Sequence, residues 1–81
     1  MRNKRDTYVY ELFDSRKIVY IGITDDLERR EQEHLGEGKK FTSIRTMSPK
    51  LTKESALERE DERISQYQKG HNGRTPKYNK K

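Results

Sequence analysis

The sequence predicts a small α+β domain, a three-stranded antiparallel sheet flanked by helices. Two β-branched and aromatic runs, Thr7–Phe13 and Ile18–Ile21, are separated only by the polar Asp14-Ser15-Arg16-Lys17, which is the pattern of a hairpin. The second run breaks at Gly22 into a charged segment with helical spacing. A further stretch of helix formers runs from Thr52 to about Gln68.

Composition sets the limits within which those elements must work. Of 81 residues, 27% are hydrophobic and 41% are charged, a balance that approaches that of disordered chains. The apolar residues are nevertheless regularly spaced, which disorder does not require. A chain this short buries only about 60% of its unfolded surface, so stability is expected to be marginal. One domain over residues 7–79 is expected, preceded by a basic arm over residues 1–6.

The net charge of +5 and a pI near 9.6 favour a polyanionic partner, DNA first, because neutralising phosphates releases counterions. No segment approaches the ~20 apolar residues of a spanning helix, and no basic helix carries a bulky apolar face, so no membrane partner is expected. With no cysteine there are no disulfides and no thiolate metal sites. That usage fits a reducing cytoplasm, with association to the nucleoid if the source is prokaryotic.

The elements follow in order. Ile18-Val19-Tyr20-Ile21 is read as the central strand, and Gly22 tolerates close backbone approach at its end. Thr24-Asp25-Asp26 supplies an N-cap and two acids for a helix in which Leu27, Arg30 and His34 share one face. Gly36-Glu37-Gly38 breaks the chain, Lys39-Lys40-Phe41-Thr42 forms a basic turn with one apolar anchor, and Ser43–Met47 is a third strand that ends before Ser48-Pro49. Thr52 caps the second helix, whose apolar positions are Ala56, Leu57, Ile64 and Tyr67 and whose terminator is Gly70. Glu60 fills the gap in that stripe and points at the core or a cleft floor. The tail from Gly70 to Lys81 reads as a loop.

Each polar candidate has an ordinary reading beside a chemical one. A partly buried Glu60 needs a cation, a metal or hydrogen bonds, and an ion pair with Arg63 or Arg59 would suffice. Arg30 carries the planar fork that binds phosphate, but it could instead pair with Glu33 or Glu37, a contact worth little at a surface. Arg29 is rotated off the face of Leu27 and His34. Tyr10 and Tyr20 lie on adjacent strands, where a tyrosine is usually core with a solvated hydroxyl; either becomes a base only if nearby cations favour the phenolate. His34 titrates near neutrality and could donate to a phosphate, polarise a tyrosine or simply be satisfied at a helix end. His71 is expected to be exposed. Lys39, Lys40, Lys50, Lys53, Lys69, Arg74 and Lys77 are candidates for phosphate contacts without base readout, some of them being plain solubilising charges.

Tyr-Ile-Gly at 20–22, then Thr24, then Leu27-x-x-Arg30-x-x-x-His34, resembles the signature of the GIY-YIG nuclease family. Tyr8-Val9-Tyr10 is similar to the family's first signature, with Tyr8 standing where the family usually has glycine. Pro76-Lys77-Tyr78-Asn79 resembles the closing Pro-x-Tyr-Asn of its excision-repair members. The resemblance covers nearly the whole chain and implies an endonuclease that hydrolyses DNA phosphodiesters, structure-selectively in repair, recombination or mobile-element work. It implies Tyr10, Tyr20, Arg30, His34, Glu60 and Asn79 as the catalytic set, with Glu60 holding Mg²⁺ or Mn²⁺. Which tyrosine is the base stays open, with Tyr10 preferred. Lys39, Lys40, Lys69, Arg74 and Lys77 would contact nucleic acid.

Two other classes remain open. One is a DNA-binding module of the same fold that has lost cleavage, motivated by Tyr8 and by the absence of a sequence-reading motif. The other is a protein-interaction domain whose basic surface meets an acidic partner.

Overall fold

The computed structural model describes residues 5–47 and 49–79. Most of the basic arm, and Ser48 of the Ser48-Pro49 stop, lie outside them. Five elements run in the order β1 (Tyr8–Asp14), β2 (Lys17–Thr24), α1 (Leu27–Gly36), β3 (Ser43–Thr46) and α2 (Lys53–Gly70). The strands form one antiparallel sheet in the order β2-β1-β3, so the α+β class and the three strands are as expected.

The central strand is β1, not the Ile18–Ile21 run of β2. Two features of β2 explain the misleading signal. Its apolar run is covered on both faces, and its outer edge is closed by the tail rather than by a strand: Val19 C=O accepts from Tyr78 N–H at 2.8 Å, and Ile21 is held by Asn79. An edge covered in this way needs the same β-branched residues as an interior strand.

The hairpin turn puts Ser15 at φ 60°, and Thr42 secures it by accepting from Ser15 N–H at 2.9 Å and donating to Phe13 C=O at 3.2 Å. A register shift between Leu12 and Phe13 interrupts the β1–β2 ladder. Such a bulge resets the alternation of side chains. Ile18 therefore joins Ile21 and Ile23 on one face, while Val19 joins Tyr10 and Leu12 on the other.

Two cores result, one on each face of the sheet. Val9 and Ile21 pack with Ala56 and Ile64 of α2, and Tyr10, Leu12 and Val19 pack with Leu27 of α1 and with Phe41, Ile44 and Tyr78. Asp26 rather than Thr24 caps α1, its Oδ1 accepting from Arg29 N–H at 3.1 Å, while Thr24 Oγ1 accepts from Asp26 N–H at 3.1 Å. Thr52 caps α2 by accepting from Ser55 N–H at 3.2 Å.

One further expectation about α2 is corrected. Leu57 is 45% exposed, because it stands one residue, about 100° of rotation, from Ala56 and off the stripe. The helix ends at Gly70 as expected, and beyond it Asn72 and Gly73 take positive φ, with Gly73 N–H closing back on Gln68 C=O at 2.8 Å. On the α2 face the sheet buries an acid: Glu11 is 1% exposed, and its Oε2 meets Arg63 Nε at 2.8 Å. Arg63, weighed from sequence as a partner for Glu60, is engaged with Glu11.

Candidate active site

The site grows from the face of the sheet opposite α2. Gly22 lies across from Tyr10 in the β1–β2 register. A Cβ built on Gly22 would sit 2.5 Å from Tyr20 Cε2 and 3.0 Å from the Tyr10 hydroxyl. Glycine is therefore required here for room, since two phenols from neighbouring strands converge over its Cα. Their ring centroids are 5.9 Å apart.

Helix α1 brings Arg30 and His34 over the same spot, Arg30 three residues beyond Leu27 and His34 four further along the same face. His34 is fully buried, its Nε2 lies 2.6 Å from the Tyr10 hydroxyl, and its ring meets Tyr20 edge-on at 4.7 Å. Arg30 bonds Glu33 Oε1 at 2.7 Å, the ion pair anticipated as its ordinary reading, and also interacts with both phenols. Arg29 stays outside, paired with Asp25 at 3.0 Å.

Charge and burial set the protonation states. Burial pushes the Tyr10 phenol well above its ordinary value, the neighbouring Tyr20 adds to this, and the Arg30 guanidinium opposes it. Glu33 raises Arg30 further, so it is cationic throughout the accessible range. Burial, with Arg30 and Lys39 adding, pushes His34 below its usual value. This shift favours the uncharged imidazole near neutral pH. A neutral imidazole has one acceptor nitrogen, and a phenol at 2.6 Å is placed to donate to it.

The tail closes the site from the side. Asn79 Oδ1 accepts from Ile21 N–H and its Nδ2 donates to Ile21 C=O, both at 2.8 Å. Tyr78 accepts at its hydroxyl from Lys40 N–H at 3.0 Å. Lys39 Nζ lies 5.5 Å from the Tyr20 ring centroid and 5.9 Å from that of Tyr78. Lys77 and Arg74 line a shallow groove with Asn79, whereas Lys69 stands in a separate hollow with Ser65 and Asn72 at the end of α2. A cleft of about 520 Å³ opens beside Arg30, with Lys53, Thr7 and Thr24 in its walls. His71 is exposed and stacks on Tyr67 at 3.7 Å.

Glu60 stands half-buried on α2, in line with Ala56 and Ile64. Its helix packs on the Val9 face of the sheet, the layer opposite Tyr10 and His34. Among the described residues no three His, Asp or Glu side chains gather into a metal-holding group. A single hard carboxylate suits Mg²⁺, which keeps several waters and takes its other oxygens from phosphate. The donor chemistry of Glu60 suits that ion, but α2 carries it on the other layer, so the structure does not bring Glu60 together with Tyr10, Tyr20, Arg30 and His34 as the resemblance implies.

The model of the GIY-YIG catalytic domain matches residues 6–79 of this chain. The chain belongs to the GIY-YIG family. It is also 42% identical, over 62 residues, to a UPF0213 protein of Haloquadratum walsbyi, an alignment that covers 68% of this chain and 70% of that one. No solved structure matches it. GIY-YIG domains are nuclease domains, and the two tyrosines, the arginine and the histidine singled out from the motif are the side chains that meet over Gly22. No helix among the described residues is long and apolar enough to cross a membrane.

Sequence reasoning did not find three features of this GIY-YIG domain. The Glu11–Arg63 pair is concealed because a glutamate in a strand carries no burial signal. Lys39 was grouped with the other surface lysines, although its place beside Tyr20 follows from the turn that ends α1. Glu37 was seen only as part of a helix-breaking triplet and as a surface partner for Arg30, and it faces the buried His34 Nδ1 at 3.6 Å.

Proposed function

We propose that the chain is a Mg²⁺-dependent endonuclease that hydrolyses DNA phosphodiester bonds. The contact that carries this reading is the Tyr10 hydroxyl at 2.6 Å from the neutral His34 Nε2, with Arg30 beside both phenols. A phenol is a poor base near pH 7 unless its own proton has somewhere to go. His34 supplies that destination for Tyr10. Water attacks phosphorus in line as the P–O bond to the leaving sugar oxygen breaks. Tyr10 takes the water's proton while passing its own to His34, solvent protonates the leaving oxygen, and Arg30 holds the charge that grows on the phosphoryl oxygens. Tyr20, half-buried at the mouth with Lys39 over its ring, positions water or phosphate. Asn79 supports the strand beneath.

Glu60 would hold the metal, which when bound would supply positive charge to a phosphate and lower the pKa of water. Because α2 lies on the layer opposite Tyr10, that role requires the DNA to reach the α2 side of the sheet as well as Arg30. The family motif and the place of Glu60 in an otherwise apolar stripe support that role. Lys40, Arg74, Lys77 and Lys69 add contacts to the DNA backbone that steer it without reading its sequence, whereas Lys39 is mostly covered and paired with Glu37. The basic composition supports DNA as the partner.

Plasmid and branched DNA incubated with the chain in Mg²⁺ and in EDTA test the reading. Cleavage is expected in Mg²⁺ alone, falling about 100-fold or more in Arg30→Ala, in line with the loss of a charge-stabilising donor. Glu60→Gln is expected to abolish both cleavage and the paramagnetic broadening that Mn²⁺ causes around residue 60. The complete burial of Tyr10 favours a second reading, a DNA-binding module without cleavage. Salt-dependent binding with no cutting of linear, nicked, flapped or four-way DNA would select it.

A further inference from the structure

The Tyr10–His34 contact uses one imidazole nitrogen and leaves the other to be explained. His34 Nδ1 is buried without a hydrogen-bond partner, and it faces Glu37 Oε1 at 3.6 Å. The end of α1 places that carboxylate. Glu37 N–H caps the helix on Glu33 C=O at 3.0 Å, Gly38 turns the chain at φ 84°, and Lys39 N–H returns to His34 C=O at 3.2 Å. Lys39 is thereby folded back alongside Glu37, and its ammonium pairs with the same Oε1 that faces His34. Lys39 is mostly covered, whereas Glu37 is half exposed.

We propose that Glu37 is the positioning residue of this site: it keeps the His34 proton on Nδ1, so that Nε2 is the acceptor for Tyr10, with Lys39 fixing where the carboxylate stands. The gap of 3.6 Å is too long for a hydrogen bond, but contacts of this kind are often long before substrate is bound and close by a small side-chain rotation. Its use in catalysis rests on the nuclease reading above. In the step it serves, the Tyr10 proton passes to Nε2 as the Tyr10 oxygen takes a proton from the attacking water, the new P–O bond forms and the P–O bond to the leaving sugar oxygen breaks. The leaving oxygen takes a proton from solvent, and the imidazolium returns its extra proton to solvent.

The charge balance around the ring explains why a carboxylate is needed there. The groups facing His34 are Tyr10 from β1, Tyr20 from β2, Arg30 from its own helix, and Glu37 and Lys39 from the turn that follows. Arg30 and Lys39 oppose an imidazolium, and Glu37 is the group that favours one. Lys39 in turn holds the Glu37 carboxyl below its usual range, keeping it ionised where His34 would need it. The same arrangement of a hydroxyl donor, an imidazole and an orienting carboxylate recurs in hydrolases of unrelated fold.

Nitrogen-resolved NMR of the His34 ring in the full chain tests the assignment, with the pH profile of DNA cleavage read alongside on wild type, Glu37→Gln and Glu37→Asp. Wild type is expected to show the Nδ1–H tautomer. Glu37→Gln is expected to move the His34 titration, and with it the acid limb of the cleavage profile, to lower pH. It is also expected to lower kcat about tenfold with KM unchanged, and Glu37→Asp should restore most of both. A wild-type ring protonated on Nε2, or a His34 titration unmoved in Glu37→Gln, overturns the role of Glu37 and leaves the nuclease reading intact. The expected NMR result in a protein that cleaves no DNA supports the positioning and removes the nuclease reading instead.

Discussion

Asn79 meets Ile21 through both ends of its amide, with Oδ1 on the peptide N–H and Nδ2 on the C=O, each at 2.8 Å. A side chain thereby does for the outer edge of β2 what a neighbouring strand would do. Ile21 lies between Tyr20 and Gly22, so a residue near the end of the chain sets the strand from which one of the two phenols projects.

Asn79→Ala should expose that edge. Two partly buried backbone groups lose their partner, at a cost of about 1–3 kcal/mol. Native-state hydrogen exchange is expected to show faster exchange at the Ile21 amide, with Leu12 in the centre of the sheet unaffected. Equal protection of Ile21 in both proteins would mean that another group holds the edge.

Gly22→Ala puts a methyl 2.5 Å from the Tyr20 ring and 3.0 Å from the Tyr10 hydroxyl. Overpacking of this kind costs about 1–3 kcal/mol and displaces the rings. A lower denaturation midpoint together with an altered near-ultraviolet tyrosine signal is expected. Wild-type values of both would show that the phenols do not crowd over Gly22.

The depressed His34 pKa makes a stability prediction with a definite sign. The unfolded chain takes up a proton on His34 as pH falls through about 6.5, the ordinary value, and the folded chain does so only at lower pH. The contribution of His34 is therefore whole above that value and is lost on acidification toward the folded pKa. Thermal melts between pH 7 and pH 5 are expected to show a fall in Tm for wild type and a flatter profile for His34→Gln. Parallel profiles would place the acid sensitivity elsewhere.

The Glu11–Arg63 pair predicts an asymmetry between single and double substitutions. Arg63→Ala leaves a carboxylate that is 1% exposed without its cation, at a cost of about 3–5 kcal/mol. Glu11→Leu combined with Arg63→Met removes both charges and should cost far less. Urea denaturation of the three proteins measures the difference, and equal losses would show that the pair is screened by water.

How much of this was legible in the chain depends on the range of the interaction. The crowding that requires glycine at position 22 comes partly from Tyr10 on the next strand, whereas the Thr52 cap, the hairpin, and the shared face of Leu27, Arg30 and His34 all follow from neighbours a few residues apart. Such choices are local, and residue type alone expresses them. The identity of the central strand was not legible, because burial of β2 looks the same whether a strand or the Tyr78–Asn79 tail covers its edge.

The sequence by itself determined the α+β class, the motif that carries the family and the residues from which a phosphodiesterase site could be built. Only the tertiary structure decided that Tyr10 meets His34 rather than water, that Glu37 faces the far side of the same ring, and that the Glu60 helix lies on the opposite layer of the sheet. The reason is that burial and charge at one nitrogen depend on groups brought together from β1, β2 and the end of α1. No spacing along the chain encodes the dielectric at the point where they meet.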